Sequence, residues 1–128
     1  MMIRSQLPKP TEGELELLRV LWSKGEATVR EVHDEIAQQR SLGYTSVLKL
    51  LQIMAEKGLV QRTELGKAHL YRATVSQEAT QSQMLRDLSD RLFSGSAAQL
   101  AIHALSMESA SAEEIEMVRK LIAKRSEK

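Results

Sequence analysis

The chain has 128 residues, a formal net charge of +1 and no cysteine. Its length fits one compact domain with an extension, its near-neutral charge excludes a polycation, and the lack of cysteine excludes disulfides and thiolate metal or redox sites. No apolar run approaches the roughly 18 residues of a membrane-spanning helix, and the first residues lack the apolar core of a signal peptide, so we expect a cytoplasmic protein without a membrane partner.

Two short helices are predicted in the first third of the chain, each preceded by a capping box. In this motif a Ser or Thr side chain and a Glu or Gln three residues later satisfy each other's free backbone N–H groups. Thr11 with Glu14 and Thr28 with Glu31 have the required spacing. The apolar side of the first helix carries Leu15, Leu18, Leu21 and Trp22, and that of the second carries Val29, Val32 and Ile36.

A third helix, which ends at Gly58, has one apolar and one polar side. Its apolar residues follow an i, i+3, i+4, i+7 pattern and should pack inward: Val47, Leu50, Leu51 and Met54. The opposite side carries Thr45, Lys49, Gln52 and Glu56, with Ser46 and Ile53 at its margin. This helix therefore has a predominantly polar surface that is free to face another molecule.

Beyond Gly58 the pattern changes from helical to strand-like. Residues 59–64 and 67–74 are short segments containing Val, Thr, Leu and Tyr, separated by Leu65 and Gly66. Glycine readily adopts the positive φ of a tight turn, so we predict a β-hairpin. Two strands alone are marginally stable in water, and the hairpin must therefore pack on the three helices. Residues 40–73 contain six basic and two acidic residues, a local excess of +4 (6 minus 2).

The rest of the chain is predicted to form three more helices. A stripe that ends before Gly95 contains Met84 and several leucines, and capping motifs at Ser96 with Gln99 and Ser111 with Glu114 begin helices over residues 97–105 and 112–124. These three helices contain too few residues to form a strong core alone. We therefore expect a second copy of the chain to cover their apolar sides. The predicted dimer contacts are Leu85, Leu88, Leu92, Leu100, Ile115, Val118, Leu121 and Ile122.

The order of three helices followed by a basic hairpin is typical of a winged helix-turn-helix. We therefore predict a mainly α fold in which residues 1–75 form a DNA-binding domain with a two-stranded wing and residues 76–128 form a helical dimerisation domain. In the major groove, hydroxyl, lysine and glutamine side chains can form hydrogen bonds with phosphates or base edges. The predicted DNA contacts of the third helix are therefore Thr45, Ser46, Lys49 and Gln52. The hairpin residues Arg62, Lys67 and His69 would approach the flanking backbone or minor groove.

Two other interpretations of the third helix remain open. On spacing alone, its polar side is an ordinary solvated surface. Some winged-helix domains also bind only proteins, so the alternative function is a protein-interaction module without sequence-specific DNA binding.

Catalytic and metal-binding motifs are missing from the sequence. The histidines, His33, His69 and His103, lack the paired spacing of a zinc helix, and no glycine-rich loop follows a strand in a phosphate-binding order. No motif suggests a Ser, His and acid set. We expect no enzymatic activity, no metal and no cofactor.

Several segments together resemble the penicillinase-repressor family of bacteria. They are PTEGELELLRVLWSKGEATVREVHDEI, YTSVLKLLQIMAEKGLVQR, GKAHLYRATVSQE and DRLFSGSAAQLAIHAL, and the resemblance extends from about residue 7 to about residue 118. It implies a dimeric winged-helix repressor that binds a dyad operator in double-stranded DNA. It also implies that Tyr44, Thr45, Ser46 and Lys49 lie in the recognition helix and Lys67 at the basic position of the wing.

The resemblance does not extend to two known release mechanisms of the family. Antibiotic-responsive members are inactivated by a membrane sensor and protease that cut an Asn-Phe bond, and this chain has His103 and Ala104 at the aligned positions. Copper-responsive members bind metal through C-terminal cysteines, which this chain lacks. A sensor or protease that relieves repression is thus implied only as a class of partner.

Overall fold

The computed structural model describes residues 8–126 as six helices and three short strands. In chain order these are α1 (Glu12–Lys24), β1 (Ala27–Thr28), α2 (Val29–Ala37), α3 (Tyr44–Lys57), β2 (Val60–Leu65), β3 (Ala68–Ala73), α4 (Gln77–Leu92), α5 (Ala97–Met107) and α6 (Ala112–Ser126). The strands form one antiparallel sheet in the order β1-β3-β2. This arrangement confirms the predicted mainly α, winged helix-turn-helix fold.

Helix boundaries follow the predicted caps. The Thr11 hydroxyl accepts from the Glu14 N–H at 3.2 Å, while the Glu14 carboxylate accepts from the Thr11 N–H at 2.9 Å. The same reciprocal pair forms between Thr28 and Glu31 and between Ser111 and Glu114, and Ser96 accepts from the Gln99 N–H. Gly58 ends α3 in the left-handed conformation, with φ +85°, which a residue with a Cβ adopts only at a cost.

The third strand is an addition to the predicted two-stranded wing. Ala27 pairs with Tyr71 and Thr28 pairs with Leu70, so β1 extends the hairpin sheet by a third strand. The sequence carries no strand signal at two residues, one of which is also the cap of α2. Because β1 immediately precedes α2, its backbone hydrogen bonds tie the hairpin to the helices directly.

The core of the first unit lies among α1, α2, α3 and the sheet. Most residues predicted to pack inward are buried, namely Leu18, Leu21, Val29, Val32, Ile36, Val47, Leu51 and Met54. Leu15, Trp22 and Leu50 are only half-buried, whereas Leu17, which the predicted stripe omitted, is fully buried. Helix α1 packs against α2, α3 and β3 together, so its apolar side is wider than a single stripe.

The chain divides into two compact units, the first ending at Met84 and the second beginning at Leu85. The division falls within α4, later than the boundary after residue 75 that the sequence predicts. The buried apolar cluster lies wholly between Leu17 and Val75. In the second unit, α5 and α6 contain no buried residue, and most of their large apolar side chains are exposed. No described helix is both long and apolar enough to cross a membrane.

Candidate nucleic-acid interface

The polar side of α3 is exposed along its whole length. Thr45, Ser46, Lys49 and Gln52 are exposed. On the opposite side Val47, Leu51 and Met54 are fully buried, and this packing fixes the rotation of the helix about its axis. Four predicted contact residues therefore share one rigid, accessible surface.

Tyr44, the first residue of α3, is held by two side chains of α2. The guanidinium carbon of Arg30 lies 5.4 Å from the centre of the Tyr44 ring, and the His33 ring meets it edge-on at a centroid distance of 5.9 Å. The phenol nevertheless remains 41% exposed. Tyr44 is thus an oriented, accessible aromatic at the start of α3, and its environment was not apparent from the sequence.

The hairpin turn places a lysine at its tip. Gly66 and Lys67 form the turn between the paired residues Leu65 and Ala68, and Gly66 has φ +61°. A positive φ at the first central position is what a two-residue type II′ turn requires. The sequence prediction began the second strand at Lys67 and was wrong by one residue, because the turn contains Lys67 as its second member.

Strand register determines which wing residues share a surface. Arg62 lies opposite Tyr71 and Glu64 lies opposite His69. Because side chains alternate along a strand, Arg62 and His69 project from the sheet face that also carries the buried Tyr71. Arg62 and Lys67 are exposed and His69 is half-buried.

Two of the six basic residues between positions 40 and 73 are paired with carboxylates of α1. The Arg40 Nε–H donates to both carboxylate oxygens of Glu16, at 3.1 Å to each. Lys57 donates to both oxygens of Glu14, at 2.7 and 2.9 Å. The local excess of positive charge is therefore smaller at the surface than the sequence count suggests.

Glu14 is a buried carboxylate that joins the start of α1 to the end of α3. Burial alone would raise the pKa of Glu14, but the Lys57 ammonium and the Thr11 N–H together hold that pKa below its ordinary value. The carboxylate is thus kept charged and fully paired. This contact fixes the C-terminal end of α3 on the core, opposite the end that Tyr44 occupies.

A charged groove of about 730 Å³ lies between α1 and α2. Ion pairs from Arg40 to Glu16 and from Lys24 to Glu35 involve residues of its lining. Their N–O distances, 2.9 and 3.8 Å, fit a role in holding α1 to the turn after α2 and to α2 itself. Among the described residues, no group of three or more His, Asp or Glu side chains is arranged to hold a metal ion.

Comparison with known proteins gives a consistent result. The sequence matches the family model described as penicillinase repressor over residues 10–124. The transcriptional regulator BlaI of Mycobacterium tuberculosis is 32% identical over 115 residues, which cover 87% of this chain and 82% of that protein. The methicillin resistance regulatory protein MecI of Mammaliicoccus sciuri is 22% identical over 115 residues, covering 90% of this chain and 94% of that protein.

Among solved structures, the monomeric form of Bacillus licheniformis BlaI in complex with the blaP half-operator has a similar fold. The TM-score is 0.51 at 19% identity, and the match covers 58% of this chain and 90% of that chain. The match is therefore confined to part of this chain. At this identity the likeness establishes the winged-helix fold.

Proposed function

Because the chain belongs to the penicillinase repressor family, we propose that it is a homodimeric transcriptional repressor that binds a dyad operator through α3 and the β2–β3 hairpin. One observation carries the proposal. The exposed side of α3 presents Thr45, Ser46, Lys49 and Gln52 together, while the other side of the helix is locked into the core. A rigid helix with an accessible polar side is what the major groove accommodates.

Base recognition is assigned to the exposed side of α3. Gln52 can form two hydrogen bonds to adenine, and Lys49 can reach a guanine or a phosphate. Thr45 and Ser46, in the first turn, can donate to base edges or phosphate oxygens, beside the phenol of Tyr44. The core contacts of Val47, Leu51 and Met54 and the Glu14–Lys57 pair orient these groups before DNA arrives, which lowers the entropy that binding must remove.

The wing is assigned to the sugar-phosphate backbone. Lys67 at the turn tip and Arg62 on the strand are exposed, and both can pair with phosphates. His69 lies on the same sheet face as Arg62 and adds a donor there. Such contacts are sequence-independent and salt-sensitive, so they position the domain while α3 discriminates among sequences.

Dimerisation is assigned to the helices that follow the winged-helix domain. Their predicted contact residues are exposed or half-buried in the single chain: Leu85, Leu88, Leu92, Leu100, Ile115, Val118, Leu121 and Ile122. Exposed large apolar side chains on these helices indicate an interaction site, and a second copy would bury the same surface on both partners. Two-fold symmetry would then place the two recognition helices one helical turn of DNA, or a multiple of it, apart.

The proposal also includes a sensor or protease that relieves repression, defined only by its class. The bond between His103 and Ala104 lies within α5, and both residues are exposed. A protease cuts a helical bond after local opening, so the stability of α5 would control the rate. The two residues differ from the family's Asn-Phe pair, and any protease acting here would need a different sequence preference.

Selection from a random duplex library tests the proposal. We expect the wild-type protein to enrich an inverted repeat, and Lys49→Ala to bind the enriched duplex more weakly while remaining dimeric by sedimentation equilibrium. Failure of the wild-type protein to enrich any sequence would contradict the proposal and favour the alternative, a protein-interaction module.

A further inference from the structure

Arg30 on α2 has an unusual setting for a solvent-exposed arginine. Its guanidinium lies over the Tyr44 ring, and His33, one turn further along the same side of α2, contacts that ring edge-on. The cation is thus placed at the corner where α2 meets the start of α3. The start of α2 is itself fixed by the capping box between Thr28 and Glu31 and by the pairing of β1.

The Arg30 guanidinium has no carboxylate partner within the described part of the chain. Its neighbour Glu31 is engaged with the backbone of Thr28, and Asp34 lies beside His33. An arginine that stacks on an aromatic ring keeps its N–H donors in the plane of the guanidinium, where they can form a bidentate contact with a phosphate. The contact with the Tyr44 ring therefore holds this side chain in place, and no hydrogen bond among the described residues uses its donors.

Helix electrostatics argue against a purely structural role for this cation. Arg30 is the second residue of α2, so it lies in the first turn, at the positive end of that helix dipole. Acidic residues are favoured at such positions, and basic residues are disfavoured. An anion bound at this corner would convert the unfavourable interaction into a favourable one.

We infer that Arg30 is a further DNA-binding residue, whose guanidinium is oriented by Tyr44 and binds a backbone phosphate next to the recognition helix. The inference rests on the proposed DNA binding and extends the interface from α3 and the hairpin to α2. It also gives Tyr44 a second role, because the ring becomes the platform that directs Arg30.

The test compares three variants on the duplex that the wild-type protein enriches most. Affinity is measured by fluorescence anisotropy over a series of salt concentrations. Arg30→Gln should weaken binding roughly tenfold and make the salt dependence shallower by about 0.9 for each subunit bound. Arg30→Lys retains the charge and should keep most of the slope. Arg19→Gln, which removes an exposed arginine of α1, should leave affinity and slope unchanged.

A double-mutant cycle with Tyr44→Leu tests the platform. Without the ring, the loss caused by Arg30→Gln should shrink by two- to fivefold, the size expected for an exposed cation–π contact. Thermal unfolding of each variant checks that α2 and α3 remain folded. Independent effects of the two substitutions would exclude orientation by Tyr44.

The outcomes separate this inference from the function on which it rests. If Lys49→Ala weakens binding while Arg30→Gln matches the wild-type protein in affinity and slope, Arg30 contacts no phosphate and the repressor function stands. A loss of affinity at Arg30→Gln without a change of slope would also contradict phosphate binding. If the wild-type protein enriches no duplex, both proposals fail.

Discussion

Replacing Lys57 with methionine should destabilise the winged-helix domain strongly near neutral pH. The Glu14 side chain is only 3% exposed and accepts two hydrogen bonds from Lys57, so the variant leaves a buried carboxylate with the Thr11 N–H as its remaining partner. Breaking a buried pair from one side costs about 3–5 kcal/mol. The Lys57 side chain is 36% exposed, and solvent screening reduces our expectation to about 2 kcal/mol.

The pH dependence follows from the direction of the pKa shift. In the folded wild-type protein the pKa of Glu14 lies below its ordinary value of 4.5, so the stabilisation is complete above 4.5 and is lost as the pH falls through the folded-state pKa. In Lys57→Met, burial without the ammonium favours the protonated acid. The stability difference between the two proteins should therefore be largest near pH 7 and decrease towards pH 4.

Urea unfolding followed by circular dichroism, at one protein concentration, measures this difference. Lys24→Met is a matched control, because Lys24 ends α1 as Lys57 ends α3 and pairs with Glu35 at 3.8 Å near the surface. The control should cost at most about 1 kcal/mol. Equal costs for the two variants, or a Lys57→Met cost that does not change with pH, would refute the reasoning.

Three further predictions concern the interface and the dimer. Lys49→Ala should weaken operator binding about tenfold, measured by anisotropy, because the side chain is exposed on the α3 surface; unchanged affinity would remove Lys49 from the contacts. Lys67→Ala should weaken binding to all duplexes alike and make the salt slope shallower by up to about one per subunit, and an unaltered slope would argue against phosphate contact. Leu121→Asp should convert a dimer to a monomer in sedimentation equilibrium while α6 stays helical, because Leu121 is 58% exposed in the single chain; a dimer that persists would place the interface elsewhere.

Local physics explains how much of the fold was predictable. Capping boxes depend on residues three apart, and the apolar pattern of α3 depends on residues up to seven apart, so both are visible in the sequence. The strand β1 was not predictable, because its two residues become a strand only through pairing with Tyr71 and Leu70. The width of the buried side of α1, which includes Leu17, likewise depends on the packing of three neighbouring elements.

The candidate site was predictable in part for the same reason. The exposed positions of Thr45, Lys49 and Gln52 follow from helical periodicity. The prediction that this surface binds DNA depends on the order of the elements and on the family resemblance. The surface charge around the site was less predictable from the sequence. Lys57 counted towards a basic segment but pairs with Glu14, 43 residues away in sequence, and the Arg30–Tyr44 contact joins two helices whose crossing the sequence does not reveal.

The most direct test of the central claim changes the spacing of the operator. On the enriched inverted repeat, the account predicts tight binding by two chains at once. Insertion of about five base pairs between the half-sites should rotate them to opposite sides of the duplex and sharply reduce affinity, and insertion of about ten should restore much of it. Affinity that does not depend on the spacing would contradict a symmetric dimeric repressor.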